Sequence, residues 1–244
     1  MNKSGLIKSG LLALTLSFGW PALEAKAQEF NSIYVAPRLI YSKQNGDMSK
    51  ATYSDGLDSF RALGGEDSDT NFGLGVALGL DLSYSTAYPV RVEAEYVYRS
   101  EASFKNSPRK IGGTGVSASQ SFKVAAHSLM ANAFYDINTD TPLTPYFGGG
   151  LGMAFLDAKY KSSINGAQTK KSSTDWNLAW NVGAGVAYQF NDSLALDFGY
   201  RYVDLGSSEC GVSAAGSGGA SFKTDGKVDY TAHEFSLGLR FNGF

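Results

Sequence analysis

The sequence predicts an all-β fold, an eight-stranded antiparallel up-and-down transmembrane β-barrel with four long extracellular loops and three short periplasmic turns. Three observations lead there. Segments of roughly ten residues alternate apolar side chains with small or polar ones, which is the period of a strand. The connections between them alternate between long and short, and aromatic residues gather at both ends of the segments.

Length and composition bound the class of protein. The 244 residues carry a net charge of -2, so the basic excess of a nucleic-acid-binding surface is absent. Mean hydropathy is -0.17, and no apolar run reaches the roughly 18 residues of a membrane-spanning helix. A helical membrane protein is therefore excluded, whereas a membrane barrel, with its many polar lumen residues, is not.

The N-terminus has the features of a secretory signal peptide. Lys3 and Lys8 precede an apolar stretch, and Ala25-Lys26-Ala27 fits a small-x-small cleavage site. We expect residues 1–27 to be a signal peptide, cleavage between Ala27 and Gln28, and residues 28–244 to form the outer-membrane barrel. The single cysteine, Cys210, has no internal disulfide partner.

Eight segments carry the strand period. The seventh shows it best, because Leu196, Phe198 and Tyr200 alternate with Asp197 and Arg201. The predicted strands are Ile33–Ser42, Asn71–Leu82, Pro89–Arg99, Phe122–Asp136, Thr144–Leu156, Thr174–Phe190, Leu194–Gly206 and Tyr230 to the C-terminus. Strands of about 11 residues, tilted by about 40°, match an apolar band about 25 Å tall.

Aromatic residues are expected to form two girdles at the membrane surfaces. The set at the loop ends is Tyr96, Tyr98, Trp176, Tyr200 and Tyr202, and the set at the turn ends is Tyr135, Tyr188 and Phe190. A soluble β-sandwich is the alternative, but the apolar faces carry almost no charge and a sandwich gives no reason for alternating loop lengths.

The inward faces hold balanced charges. The predicted lumen network contains the arginines Arg38, Arg91, Arg99, Arg201 and Arg240 and the carboxylates Asp81, Glu93, Glu95, Asp197 and Glu234. Buried charges are costly unless they are paired, so we expect salt bridges that fill the narrow lumen of an eight-stranded barrel. A pore or relay lined by the same residues is the alternative.

No motif indicates catalysis, a metal or a cofactor. His127 and Ser128 are adjacent, as are His233 and Glu234, so each pair points to opposite faces of a strand. The two histidines are too few for a metal site of the usual three or four ligands. The glycines of 148–152 superficially resemble a phosphate loop, but they lie inside a predicted strand with no helix after it.

The long connections are where function is expected, because binding residues are often carried by loops on a rigid scaffold. Residues 43–70 are acidic, whereas residues 157–173 hold four lysines and one aspartate. Such charges could meet host surfaces, lipopolysaccharide phosphates or nothing in particular. Phe60, Phe104 and Phe222 are loop aromatics that could anchor a contact or pack the loops.

The segments 200–206 (YRYVDLG), 92–96 (VEAEY), 145–150 (PYFGGG) and 233–241 (HEFSLGLRF) resemble the opacity-type eight-stranded outer-membrane β-barrel family. The resemblance implies a Gram-negative outer-membrane location, insertion by the barrel assembly machinery and contact with lipid and lipopolysaccharide. It also implies loops facing host or environmental ligands, and no catalytic residue. Family members include adhesins, surface antigens and haem-binding proteins.

Two features depart from that family. Phe244 is terminal but out of step with Phe235 and Phe241, and a bulge at Gly243 would restore the parity. Pro37 lacks a donor in the first strand, so we expect a bulge or kink there.

The sequence thus favours a monomeric, non-catalytic surface protein whose loops serve adhesion. A small passive channel or a binder of a hydrophobic ligand such as haem is the alternative, and a lipid-active enzyme is less favoured than either.

Overall fold

The computed structural model describes residues 32–48, 51–54, 59–62, 65–84, 86, 88–111, 116–164, 167–209, 212–215, 221–224 and 227–243. Eight long strands form a closed barrel: β1 (Ile33–Met48), β4 (Gly65–Asp81), β5 (Val90–Ile111), β6 (Val116–Asp136), β7 (Leu143–Ile164), β8 (Ala167–Asn191), β9 (Leu194–Glu209) and β12 (Lys227–Asn242). The ring order is β1-β12-β9-β8-β7-β6-β5-β4, with every neighbouring pair antiparallel. The predicted eight-stranded all-β barrel is therefore confirmed.

Four short strands form a second sheet. They are β2 (Ala51–Ser54), β3 (Ser59–Ala62), β10 (Val212–Ala215) and β11 (Ser221–Thr224), paired in the order β10-β11-β2-β3. The first two belong to the connection between β1 and β4, and the other two to the connection between β9 and β12. The barrel end that bears this sheet is called the loop end, and the opposite one the turn end.

The turn end closes with compact connections. A 3₁₀ turn at Leu82–Tyr84 follows β4, and β8 is joined to β9 through Asp192 and Ser193. Gly243 has a φ of 89°, and its N–H donates to the carbonyl of Ile33 at 3.2 Å. In the part of the chain that the structure describes, no helix has the length and apolar character needed to cross a membrane.

The strands extend much further toward the loop end than predicted. The predicted long connections 100–121 and 157–173 are mostly strand, because β5 and β6 leave only residues 112–115 between them and β7 and β8 leave only 165–166. The expectation of four long loops is therefore wrong at two of the four positions. The reason is that these hairpin arms are rich in Ser and Lys and lack the apolar alternation by which the lower strands were recognised.

Apolar side chains cover the outer wall between the two ends. The most exposed include Phe72, Leu74, Leu151, Trp176 and Leu178. Their neighbours in sequence point inward, as the strand period requires. All eight predicted girdle residues point outward, and Trp180 and Tyr202 are in ring contact at 5.6 Å.

Two irregularities adjust which side chains point inward at the loop end. The pairing of β5 with β6 shifts between Arg99 and Ala102, so Arg99 and Ala102 both point inward while Glu101 turns outward. The register between β9 and β12 shifts between Asp229 and Thr231. The extra residues on the β9 side include Gly206, whose φ is 80°. A glycine with positive φ is typical of one class of β-bulge.

Pro37 does not interrupt the first strand. The ladder between β1 and β4 runs through Pro37 without a shift, and the ladder with β12 skips Ala36 and Pro37 but resumes in the same register. The predicted bulge is absent, because one missing donor is tolerated when the register on both sides is held by long ladders. Residues 1–27 with the Ala27–Gln28 cleavage site, Cys210 and Phe244 lie outside the described residues, and those expectations stay predictions.

The loop half of the barrel is filled by an apolar layer. Its buried residues are Ala102, Phe104, Phe122, Val124, Ala126, Met130, Ala154, Leu156, Ala158, Tyr160, Ala179, Val203, Leu205, Val228 and Tyr230. Phe104 is fully buried and packs edge-on against Tyr230, with ring centroids 5.9 Å apart. Its interpretation as a loop aromatic was wrong, because it lies on the inward face of β5. The side chains of Phe60 and Phe222 lie outside what the structure describes.

Candidate functional site

The turn half of the barrel is filled by charged side chains. We call this set the charged layer; it consists of Arg38, Arg91, Glu93, Glu95, Arg99, Asp136, Asp197, Arg201, Glu234 and Arg240. The period of the strands places them on the inner face, while their sequence neighbours face outward. Arginines and carboxylates are equal in number, so the layer is neutral.

One group of contacts surrounds Glu93. Arg38 on β1 donates through Nη2 to Oε1 of Glu93 at 2.7 Å and through Nη1 to Oε1 of Glu95 at 2.8 Å. The hydroxyl of Tyr34 donates to the same Oε1 of Glu93 at 2.7 Å. Because β4 lies between β1 and β5, these bonds connect strands that are not neighbours in the barrel wall.

A second group surrounds Glu234. Its Oε1 accepts from Nε of Arg99 at 2.5 Å, and its Oε2 accepts from Nε of Arg201 at 2.8 Å. Arg201 continues to Glu95, where Nη1 and Oε2 lie 2.5 Å apart. Arg99 also donates to the hydroxyl of Ser128 at 2.9 Å. The two groups are thus joined through Glu95 into one network across the lumen.

The network includes an aspartate that the sequence analysis missed. Asp136 accepts from Arg91 at 2.6 and 2.9 Å, and Asp197 accepts from Arg240 at 2.7 Å and from Tyr146 at 2.5 Å. Asp136 has the same parity on β6 as Asn132, which also points into the lumen. Extending that parity by four residues would have found it.

Asp81 lies outside the network, contrary to the prediction. Its Oδ1 accepts the backbone N–H of Ser83 at 2.9 Å and the hydroxyl of Ser83 at 2.6 Å. The reason is its position as the last residue of β4, where a carboxylate satisfies the backbone of the turn that follows. The other nine predicted lumen residues all form ion pairs within the charged layer.

Little space remains inside the charged layer. A cavity of about 30 Å³ lies between Arg38, Arg91, Glu95 and Arg201, which is enough for about one water molecule. Above it the apolar layer packs Phe122 against Tyr160, with ring centroids 4.7 Å apart. The interior therefore has two stacked layers, and neither has the geometry of an aqueous pore.

Both histidines lie on the outer wall. Nδ1 of His127 is 2.7 Å from the hydroxyl of Tyr96, and Nδ1 of His233 is 2.8 Å from the hydroxyl of Tyr200. Ser128 points into the lumen, away from His127. Within the described ranges no group of three His, Cys, Asp or Glu side chains is placed to hold a metal.

The glycines of 148–152 lie within β7, as expected, and not in a loop. A Cβ at Gly150 would fall 2.0 Å from Oδ1 of Asn132 on the neighbouring strand. Asn132 in turn accepts from the amide of Asn181 at 2.8 Å and donates to Glu95 at 3.1 Å. Gly150 therefore makes room for a polar side chain of the lumen, and the segment is a strand of the barrel wall and not a phosphate-binding loop.

A barrel that is apolar outside, charged inside and closed on itself is the architecture of outer-membrane β-barrel proteins. A family model described as the outer membrane protein beta-barrel domain matches residues 10–241, and the chain belongs to this family. It is accordingly located in the outer membrane of a Gram-negative cell. The turn end then faces the periplasm and the loop end the outside, as in bacterial barrels generally.

Relatives and solved structures agree with this assignment. The chain is 29% identical over 178 residues to the outer membrane protein PagN of Salmonella typhimurium, covering 70% of this chain and 72% of that protein. It is 27% identical over 138 residues to a Rickettsia bellii protein named "Putative adhesin", covering 54% of this chain and 58% of that protein. The crystal structure of OprG from Pseudomonas aeruginosa has the same fold, with a TM-score of 0.52 and 16% identity over 89% of this chain and 100% of that one.

Proposed function

We propose that this protein is a non-catalytic surface protein whose closed barrel holds two outer loops in position for adhesion. The observation that carries the proposal is the second sheet at the loop end. It pairs β2 of the β1–β4 connection with β11 of the β9–β12 connection, through the register Ala51–Thr224 to Ser54–Ser221. Two loops that are far apart in sequence thereby form one structural unit.

The barrel supplies a rigid base for that unit. β1, β4, β9 and β12, from which the two loops emerge, are consecutive around the ring. The charged layer links three of these strands from within, because Arg201 on β9 pairs with Glu234 on β12 and is joined to Arg38 on β1 through Glu95. Binding residues on loops over a rigid scaffold are a common arrangement, and the name of the Rickettsia relative supports adhesion as its use.

The closed interior argues against the alternative of a passive channel. The charged layer leaves about 30 Å³, and the apolar layer covers it on the outer side. In planar bilayers we expect no steady single-channel currents at neutral pH, and steady currents would contradict the closed interior. Haem binding gains no support either, since both histidines face outward and bond to tyrosines.

The adhesion proposal is tested by replacing the second sheet. Residues 51–62 and 212–224 are exchanged for Gly-Ser linkers of equal length, and binding of intact bacteria to cultured cells and to matrix proteins is measured. We expect adhesion to fall to the level of a strain without the protein. The control exchanges residues 116–119 at the start of β6 for a Gly-Ser linker of equal length, which should leave adhesion unchanged.

Folding is checked in both variants by the different gel mobilities of heated and unheated samples. Unchanged adhesion after loss of the second sheet, with the barrel intact, would contradict the proposal.

A surface role requires that the chain is exported and inserted into the outer membrane. We infer that residues 1–27 direct export and that the barrel assembly machinery inserts a monomer. Sequencing of the protein from outer membranes should begin at Gln28, and cross-linking in membranes should give a single-chain species. A start at another residue would contradict the cleavage site alone, and a cross-linked ladder would contradict the monomer.

A further inference from the structure

Exposed lysines cluster on one side of the barrel at the loop end. Lys105, Lys123, Lys159, Lys161 and Lys170 lie on the outer face of the four consecutive strands β5 to β8. We call this set the basic wall. Two carboxylates, Glu101 and Asp157, lie among them, so the wall keeps an excess of positive charge.

The barrel brings several of these lysines into direct opposition. Lys123 pairs with Lys159 across β6 and β7, and Lys161 pairs with Lys170 across β7 and β8. Like charges directly opposite each other on neighbouring strands destabilise a sheet. An anionic group placed between such lysines would remove this repulsion.

Glu101 shows that an anionic group fits between two of these lysines. Its Oε1 lies 2.6 Å from Nζ of Lys123, and its Oε2 lies 3.1 Å from Nζ of Lys159. The shift in β5 after Arg99 is what turns Glu101 outward to this position. Lys161 and Lys170 have no carboxylate partner among the described residues, and Asp157 accepts instead from the hydroxyl of Thr174 at 2.8 Å.

The height of the wall matches the headgroups of the outer leaflet. Lys123 is four residues beyond His127 on β6, and Lys159 is four beyond Phe155 on β7. His127 and Phe155 pack against the girdle residues Tyr98 and Trp176. Four residues cover about 13 Å along a strand, or about 10 Å along the membrane normal at a tilt of about 40°.

We propose that the basic wall is a binding site for the phosphate groups of lipopolysaccharide in the outer leaflet. The lipid is held from the side of the barrel and not at the loop tips, so this site goes beyond adhesion and does not depend on it. Lys161 and Lys170 take one phosphate directly. Lys123 and Lys159 take another in competition with Glu101.

The opposite wall of the barrel shows why the site is one-sided. There Glu66, Asp47 and Asp229 lie directly opposite one another on β4, β1 and β12. Those carboxylates repel phosphate, whereas Lys43 on the same wall supplies a matched exposed lysine outside the site.

The test measures lipid binding to the full-length protein purified from outer membranes in a zwitterionic detergent. The probes are bisphosphorylated lipid A, its dephosphorylated form and inorganic phosphate, and binding is followed by native mass spectrometry. The double variant Lys159→Ser/Lys161→Ser should bind bisphosphorylated lipid A about thirty-fold more weakly, as expected for two lysines near a charged membrane surface. Lys43→Ser should bind as the parent does.

Glu101→Gln should change lipid binding in the opposite direction. A gain of binding in this variant cannot be caused by misfolding. The substitution frees Lys123 and Lys159, so we expect binding about threefold tighter or better.

Equal binding of the phosphorylated and dephosphorylated lipids would overturn the proposal, as would an equal loss in Lys43→Ser. Displacement of the lipid by millimolar inorganic phosphate would mean a simple anion site. Binding of a soluble sulfated glycan that the double variant abolishes, without a change in lipid binding, would assign the wall to a glycan instead.

Discussion

The charged layer and the apolar layer fill the same barrel at two heights. The polarity of each layer is opposite to that of the outer wall at the same height. Within the membrane, Leu74 and Leu178 face lipid while Glu95 and Arg99 face the lumen. At the loop end, Lys159 faces outward while its neighbour Tyr160 is fully buried. The barrel therefore has the polarity of a membrane protein below and that of a soluble protein above, without a break in its strands.

The two layers should lose stability in different ways when a side chain is removed. A buried ion pair is stabilising only while both partners are present, because a lone buried charge is very costly. An apolar layer loses stability more gradually, in proportion to the volume removed. The following substitutions test this difference.

Removal of Glu234 should have the largest effect. The substitution Glu234→Ala leaves Arg99 and Arg201 buried without the carboxylate that both contact. We expect the free energy of unfolding to fall by about 3–5 kcal/mol, measured by urea unfolding in lipid vesicles. The exposed Glu209→Ala is the control and should change it by less than about 0.5 kcal/mol. A loss below about 1 kcal/mol in Glu234→Ala would mean that solvent reaches the charged layer.

Truncation of Leu156 should come next. This side chain is fully buried in the apolar layer, and Leu156→Ala should cost about 3 kcal/mol in the same assay. The matched control is Leu178→Ala, in which the same atoms are removed from the lipid-facing wall. Equal losses at both positions would contradict a packed interior at the loop end.

The bulge in β9 should show a smaller effect. Gly206 has a φ of 80°, and a Cβ there would lie 2.5 Å from Cβ of Asn177. Gly206→Ala should therefore lower stability by about 2 kcal/mol, whereas Ser207→Ala next to it should be nearly neutral. A neutral Gly206→Ala would show that neither the positive φ nor the contact with Asn177 constrains this position.

The pH dependence of Glu101 should be the smallest effect. Hydrogen bonds from Lys123 and Lys159 lower the pKa of this carboxyl below its ordinary value of 4.5. A lowered pKa in the folded state means stabilisation that is present above pH 4.5 and is lost as the pH falls through the folded-state pKa. Because the side chain is a third exposed, we expect less than about 1 kcal/mol, seen as a difference between parent and Glu101→Gln that vanishes in acid. A difference that persists in acid would point to packing instead.

The charged layer could largely be predicted from the sequence. Period-two alternation sets the direction of every side chain once a strand is recognised, so nine of the ten predicted lumen residues lie where parity places them. Asp81 failed because it ends its strand, where the turn recruits its carboxylate. The girdles followed from the same parity.

The apolar layer and the basic wall could not be predicted in the same way. Above the girdle the outer face is polar, so the apolar alternation that marks a strand below is too sparse around Phe104, Lys159 and Lys161. The shift after Arg99 also reverses the parity of β5, and no residue type there signals it. The neighbouring strands, and not the local sequence, decide that Glu101 points outward.

The ion pairs across the lumen also bear on how this barrel assembles. Arg99 and Glu234 are 135 residues apart in sequence, and Ser42 and Glu234 are 192 apart. Arg99 on β5 reaches Glu234 only when β12 has arrived beside β1, whereas Arg201 on the neighbouring β9 is already opposite Glu234 in the β9–β12 pair. An unclosed sheet would hold these charges unpaired next to lipid, at several kcal/mol each. Closure therefore completes the pairs that join β5 to β12 and β9, Arg99 with Glu234 and Arg201 with Glu95, so a partly closed barrel is less stable than the closed one.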